Sequence, residues 1–444
     1  MEKPRIIIDN DGGTDDYIAI AYAILSGKFD IEAITVVAGN TNVENVLKNV
    51  FHALEKVGVS PEKAKKIGIH IPEFIKQDII SDGAQGENGL GNIDVQNSNE
   101  YRANSEFAED VLVKKVKENP GEITIVATGP LTNIANAMKA DPTFAQNIKE
   151  IVIMGGDEGG GNITPKAEFN VYQDPEAAKF VFDNAPDKIT MIGFNVSKKV
   201  NLSPEIIDWL QNNTEFGQLL EEMTRITEYL DVNKNSVDGA SMNDVLTLEY
   251  LVNPSIFTSK RAAVQVDTSE PVYDSRHNDI STRGQTVISE ADEGAKSNVI
   301  TGVDQTKALE ELFSVFFIKP ENLEKPLLEN PEGFQTALEA RALRVEKRDA
   351  ILAMIPEHPA FDELRHRVNM MCNRRNAPQA LAKFEEYLKK VAGAKELKER
   401  LMNKYPDRQL DIKVAWGNSG TTLQGAGNVQ KLAEELQEEI GPEL

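Results

Sequence analysis

Four carboxylates crowd one short stretch near the N-terminus: Asp9, Asp11, Asp15 and Asp16, in the run Ile6-Ile-Ile-Asp9-Asn-Asp11-Gly-Gly-Thr14-Asp15-Asp16-Tyr-Ile. Like charges at that density repel one another and are costly to assemble unless something positive holds them. A hard divalent cation, which takes several oxygen ligands at once, is the natural partner. Asp15 and Asp16 alone could be explained as acidic residues favouring the start of a helix. That explanation does not reach Asp9 and Asp11.

The elements around the cluster say how it would be positioned. The apolar run Ile6–Ile8, bounded by glycines after Asp11, reads as a buried strand, and residues 17–25 read as a helix. Thr14, Asp15 and Asp16 then lie at a helix N-terminus on the strand-to-helix edge, where ligands bind in open α/β sheets. Further strands are expected at 31–38, 123–127, 151–154 and 189–194, with helices at 45–57 and 131–139. Strands alternating with helices predict an α/β fold with an open, mostly parallel central sheet flanked by helices. Residues 260–268 and 282–289 read as later strands, with a possible antiparallel pairing, and 309–317 as a closing helix. The polar, Pro-rich stretch 321–331 reads as a linker. Beyond it helical patterns cover 333–354, 360–371, 378–391, 394–404 and 429–440, interrupted by a β-like run at 410–416 and a flexible loop at 417–427. The expected organisation is a first domain over 1–319 and a mainly helical accessory domain over 320–444.

Composition bounds the partners. The chain has 444 residues, a net charge of -23, 40% hydrophobic and 27% charged residues, as in an ordinary soluble protein. A polyanion is repelled by nucleic acid and by anionic membranes, so neither is expected as a partner. The single cysteine, Cys372, excludes an intramolecular disulfide and suits a reducing, cytoplasmic location. No leader peptide and no bilayer-spanning apolar run are read in the sequence. Arg365, Arg367, Arg374 and Arg375 form a basic cluster that reads as a solvated face.

Further segments follow the acidic stretch in order. They are Val37-Ala-Gly-Asn40, Gly86-Glu-Asn-Gly-Leu-Gly91, Ala127-Thr128-Gly-Pro-Leu-Thr-Asn-Ile-Ala135, Ile153-Met154-Gly-Gly156, Ala167-Glu168-Phe169-Asn170, Asp174-Pro-Glu-Ala-Ala178 and Asn243-Asp244. With Asp9-x-Asp11-x-Gly13-x-Asp15-Asp16 they make residues 1–319 resemble the calcium-dependent nucleoside hydrolases of the inosine–uridine type. The resemblance implies that Ca²⁺ is bound by the carboxylates of Asp11, Asp16 and Asp244 and by the backbone carbonyl of Thr128. It implies that Asp11 also takes the proton of a calcium-bound water. Asp15, Asn40, Asn162, Glu168 and Asn170 would hold the ribose hydroxyls or surround the cation, with Phe169 and Met154 lining the substrate pocket. The implied substrate is a small nucleoside cleaved in purine or pyrimidine salvage, and the implied assembly is a homo-oligomer. The chemistry is coherent: a cation-bound water loses its proton readily to an adjacent carboxylate, and carboxylates stabilise the positive charge developing on the ribose. Plainer readings make Asn40 and Thr128 turn residues, the Glu168 segment a surface loop and Asp244 a helix cap.

The chain departs from the resemblance where the departing base is protonated. Better-known members place a histidine before the last calcium-binding aspartate; here it is Asn243, and Gln85 stands where the Gly-rich loop often carries another. His52, His70, His277, His358 and His366 all fall outside the matched motifs. An amide donates a hydrogen bond but delivers no proton at neutral pH. Either another acid serves, with Asp238 and Glu158 as candidates, or the leaving group needs no proton, as in nicotinamide riboside or NAD. A ribose-binding protein that has lost catalysis is a third reading, opposed by the intact Asp11. A phosphatase of the haloacid dehalogenase type, using Asp9 as nucleophile and Mg²⁺, fits Asp9-Asn-Asp11-Gly12 but leaves Asp15-Asp16 and Asn243-Asp244 without a role.

Overall fold

The computed structural model describes residues 2–73, 83–235, 237–276, 278–290, 296–353 and 368, and the backbone of 412–417 and 420–425. Two compact units divide the chain, Met1–Glu339 and Ala340–Leu444.

The first unit is built on a nine-stranded sheet. In chain order its strands begin with β1 (Arg5–Asn10), β2 (Asp30–Val36), β3 (Ile69–His70), β4 (Ile123–Ala127), β5 (Glu150–Met154) and β6 (Ile189–Ile192). A short pair outside the sheet, β7 (Asn201–Leu202) and β8 (Ala240–Ser241), follows, and then β9 (Phe257–Val266), β10 (Thr286–Ser289) and β11 (Ser297–Val303). The spatial order is β10-β9-β11-β6-β5-β4-β1-β2-β3. Pairings from β11 through to β3 are parallel, and toward the other edge β9 runs antiparallel to both of its neighbours, β11 and β10. The expected α/β fold with a mostly parallel sheet is therefore present. Central strands are apolar on both faces because helices cover both: Ile6 and Ile8 pack into one core, Ile7 and Ile125 into the other.

The chain winds outward from β1 to β3 in one direction and from β4 to β6 in the other. Between β1 and β4 the winding reverses, and in open parallel sheets that is where a crevice opens at the strand ends.

Several expected boundaries move. The strand expected to run to Phe194 stops at Ile192, and Phe194–Ser197 turns into a helix after Gly193. The 31–38 strand ends at Val36, freeing Val37–Asn40 as a loop toward the crevice. The closing helix is Gln305–Ser314, tightening into a 3-10 turn over Val315–Phe317. Sequence reasoning missed β11, which separates β9 from β6, and the helix Glu215–Lys234. The 321–331 linker is tied down: Asn213 Nδ2 donates to the Glu329 carbonyl (2.8 Å), and Leu328 is buried.

Farther along, the helix expected at 333–354 is Pro331–Ala353. The loop expected at 417–427 is overturned in part. Residues Gly420–Gly425 form β13, pairing antiparallel with β12 (Ile412–Gly417). Threonines in that stretch favour a strand once a partner ladder is present. The other helices expected after 354, the arginine cluster and Cys372 lie outside the described residues.

Candidate active site

The C-terminal ends of β5, β4, β1 and β2 lie side by side, and each supplies a residue to one buried centre. β1 delivers Asp9 and, just beyond its end, Asp11; β4 leads into Thr128, β5 ends at Met154, and the loop after β2 brings Asn40. The helix Thr14–Ser26 starts beside them, with Asp15 and Asp16 in its first turn. Two glycines make the approach feasible. A Cβ on Gly39 would lie 2.0 Å from Asp11 Oδ2, and one on Gly12, whose φ is +74°, would meet Val46 at 2.8 Å.

Asp9 belongs to the frame. Its Oδ1 accepts hydrogen bonds from Thr35 Oγ1 (2.6 Å) and Asn133 Nδ2 (2.8 Å), and burial pushes its carboxyl up to about 7. Asp11 is gripped twice by Asn40, whose backbone N–H donates to Oδ2 (2.9 Å) and whose Nδ2 donates to Oδ1 (2.6 Å). Burial raises the Asp11 carboxyl to about 6 against the pull of those donors. Asp16 accepts from the Gly13 N–H (2.8 Å) and from Thr128 Oγ1 (2.6 Å); burial and the neighbouring Asp11 charge push it well above the usual carboxylate range. Asp15 accepts from Asn243 Nδ2 (2.9 Å) and Gln85 Nε2 (3.3 Å). Asp244 stands at the start of the helix Val245–Val252 yet makes no side-chain cap bond, which overturns the cap reading. Burial and the charges of Asp15, Asp16 and Asp11 push its carboxyl well up.

Asp15, Asp16 and Asp244 bring carboxylate oxygens within 4.8 Å of one another, all buried. Sequence reasoning put Asp11, not Asp15, in that trio. Asp11 lies close enough to the cluster for its charge to raise both Asp16 and Asp244. Carboxylates raised by burial and by one another's charge, an all-oxygen donor set and no Lys or Arg among the described lining residues together suit a hard cation. The cluster can hold a metal.

A cleft opens onto this cluster. Of the residues singled out from sequence, Asp15, Asn40, Thr128, Met154, Asn162, Glu168, Phe169, Asn170, Asn243 and Asp244 line it, as does Gln85. Asp11 and Asp16 are buried and do not form its wall. Asn170 Nδ2 donates to the carbonyls of Thr128 (3.0 Å) and Met154 (3.1 Å), while its Oδ1 is buried with no partner among the described residues. Glu168 is no loop residue: its carboxylate caps the short helix Phe169–Gln173 by accepting from the Asn170 and Val171 N–H groups, and it also takes the Gly156 N–H (2.9 Å). Burial pushes it up to about 7. Asn162 Oδ1 accepts from the Phe169 N–H (2.8 Å). Met154, Phe194 and Val237 form a small apolar patch.

Asn243 holds Asp15 and is itself held, its Oδ1 accepting from Ser197 Oγ (2.8 Å). Neither substitute acid expected from sequence lines the cleft: Glu158 pairs with Lys260, and Asp238 lies off the wall. Thr227 and Asp231 of the helix Glu215–Lys234, and Asn235 at its C-terminal end, do line it. Their spacing of four along the chain puts polar groups on one helix face, a pattern shared with any solvated surface helix.

Fold and site together define a parallel-sheet protein whose oxygen-donor metal cradle opens onto an amide-walled cleft. Comparison with known proteins narrows this. The profile of the inosine-uridine preferring nucleoside hydrolases matches residues 6–310. Uridine nucleosidase 1 of Arabidopsis thaliana is 35% identical over 271 residues, covering 60% of this chain and 78% of the relative. The pyrimidine-specific ribonucleoside hydrolase RihB of Escherichia coli is 34% identical over 276 residues, 62% of this chain and 86% of that protein. The solved structure of a plant nucleoside hydrolase, PpNRh1, superposes with a TM-score of 0.63 at 30% identity, covering 71% of this chain and 99% of that one. The chain belongs to the inosine-uridine preferring nucleoside hydrolase family.

Proposed function

We propose that this protein hydrolyses the N-glycosidic bond of ribonucleosides, releasing ribose and a free base, with calcium as its metal. The observation that carries the reading is the convergence of Asp15, Asp16 and Asp244 to within 4.8 Å at a cleft walled by Asn40, Asn162 and Asn170. Asp11, Asp16, Asp244 and the Thr128 carbonyl would hold the cation, and Asp15 completes the charge around it. Bound calcium supplies a water of lowered pKa and neutralises the crowded carboxylates.

The chain's own groups do the rest. Asp11, oriented by both Asn40 donors, accepts a proton from the attacking water. Asn170 Oδ1, left without a protein partner, accepts from a ribose hydroxyl. Asp15 and Asn40 reach the same sugar. As the bond from C1′ to the base lengthens, positive charge grows on the ribose, and the surrounding carboxylates stabilise it. Met154 and Phe169 fill the apolar side of the cleft.

The catalytic part is placed within 1–319, with the remainder accessory; a cytoplasmic homo-oligomer is the expected form. Among the described residues no helix is long and apolar enough to cross a membrane.

The test is ribose release from uridine and inosine with calcium present, and its loss with a calcium chelator. Purified protein that liberates no sugar from either, or phosphate from phosphoesters instead, would sink the reading. A second reading is favoured by Asn243, whose amide delivers no proton: a preference for nicotinamide riboside, which releases neutral nicotinamide. Uridine or inosine cleaved faster than nicotinamide riboside counts against it.

A further inference from the structure

One carboxyl group on the wall of the cleft has no place in metal or ribose binding as described above. Asp231 lies on the helix Glu215–Lys234, on the same face as Thr227 one turn before it and Asn235 one turn after, and all three line the cleft. It is buried, with 5% of its surface exposed. Its Oδ1 accepts from Asn235 Nδ2 (2.9 Å) and its Oδ2 from the Ser241 N–H (2.9 Å). These two donors fix the group in direction, and a carboxyl oxygen that accepts one hydrogen bond can still carry a proton. Gln85 connects this wall to the metal cluster: its Oε1 accepts from Thr227 Oγ1 (3.3 Å) and its Nε2 donates to Asp15 (3.3 Å).

Base departure needs such a group. When the C1′–N bond of a nucleoside breaks, its electron pair goes to the base nitrogen, and an unprotonated purine or pyrimidine anion is a poor leaving group. Asn243 has no proton to give, and its amide is committed to Asp15 and Ser197.

Resting on the functional reading above, the geometry points to Asp231 as the acid that protonates the departing base. The proton passes from the Asp231 carboxyl to the base nitrogen as the C1′–N pair arrives there. Water's oxygen bonds to C1′, and its proton goes to Asp11. Asp231 leaves the step as a carboxylate and Asp11 as an acid, and exchange with solvent restores both. Burial pushes the Asp231 carboxyl up to about 6, with the Asp15 charge adding to it and Asn235 and Ser241 opposing, which keeps a protonated fraction near neutral pH. Asn235 acts as a positioning residue.

The experiment compares leaving groups. Asp231→Asn and wild type are assayed with calcium on uridine, on inosine and on p-nitrophenyl β-D-ribofuranoside, whose p-nitrophenolate departs without a proton. The expected result is a loss of about 100-fold or more in kcat on uridine and inosine, the range of a positioned acid, with p-nitrophenyl riboside hydrolysis retained. Retained cleavage of that substrate also shows that the variant is folded. Equal losses on all three substrates, or no loss on any, overturn the proposal. Asp231→Glu is expected to recover part of the uridine rate, and Asp231→Asn and Asp231→Glu behaving alike on uridine would also overturn it. Wild-type protein that cleaves none of the three overturns the functional reading itself, a result distinct from a selective or absent effect of the substitution.

Discussion

Two regions of this molecule bury carboxylates completely, and they differ in what surrounds them. At the strand ends, Asp9, Asp11, Asp15, Asp16 and Asp244 lie together, and most of their oxygens accept hydrogen bonds from Thr35, Asn133, Asn40, Gly13, Thr128, Gln85 and Asn243. On the helix Val245–Val252, Glu249 sits among apolar residues of the core, and neither of its oxygens has a hydrogen-bond partner among the described residues. Burial pushes both sets upward. Burial alone therefore marks no function. A site is marked by carboxylates that converge, are oriented by donors, and open onto a cleft. Glu249 has none of the three; the charge of Glu311 raises it further and that of Lys28 lowers it.

The comparison breaks if the two regions respond alike to substitution. The largest effect expected is from Asp11→Asn, which removes the proton acceptor: ribose release from uridine falls by about 10²–10⁴-fold while the circular-dichroism spectrum is unchanged. Next is metal removal. Chelation abolishes ribose release, and saturating calcium raises the thermal midpoint of the wild type, since a ligand at 100 times its Kd stabilises by about 2.7 kcal/mol. In Asp244→Asn that calcium-dependent rise shrinks; in Glu249→Gln it is intact.

Asn243→Ala sharpens the picture within the site. It deletes the donor to Asp15, a hydrogen bond to a charged group worth about 1.5–3 kcal/mol. A roughly tenfold or greater rise in KM for uridine is expected, with kcat falling less. A loss confined to kcat would move Asn243 from positioning to chemistry.

The smallest effect belongs to Glu249→Gln. The Glu249 carboxyl is raised in the folded state, so the protein binds that proton more tightly folded than unfolded. Its contribution is full below the unfolded value of about 4.3 and is lost as pH climbs through the raised folded value. The variant escapes that loss. Urea unfolding should show it more stable than wild type by about 1 kcal/mol or more at pH 8, with the gain shrinking toward pH 5, and ribose release unchanged. Equal stability differences at both pH values would contradict a raised Glu249.

Much of the site was legible because its residues lie in local motifs. Asp9 through Asp16 announce themselves as carboxylates on one strand-turn-helix unit, and Gly39-Asn40 and Thr128-Gly129 sit at strand ends for the same topological reason. Glu168 was legible as a site residue but not as a cap, because capping depends on where the Gly156, Asn170 and Val171 N–H groups end up. The helix face carrying Thr227, Asp231 and Asn235 was missed. Nothing in its own sequence says that it packs over the cleft, and its polar groups look like an ordinary solvated stripe.

The order of residues determined the alternating strands and helices, the acidic turn at the end of β1 and the family to which the chain belongs, because each of these is written in contiguous residues whose spacing fixes their geometry. The tertiary structure decided which carboxylates meet. Asp244 lies more than two hundred residues from Asp15 and Asp16, and Asp231 faces the cleft from a helix with no local mark of it. Only the parallel register of the sheet and the packing of helices over its reversal point bring them within reach, since charge repulsion and desolvation can be balanced only by groups that folding has already set in place.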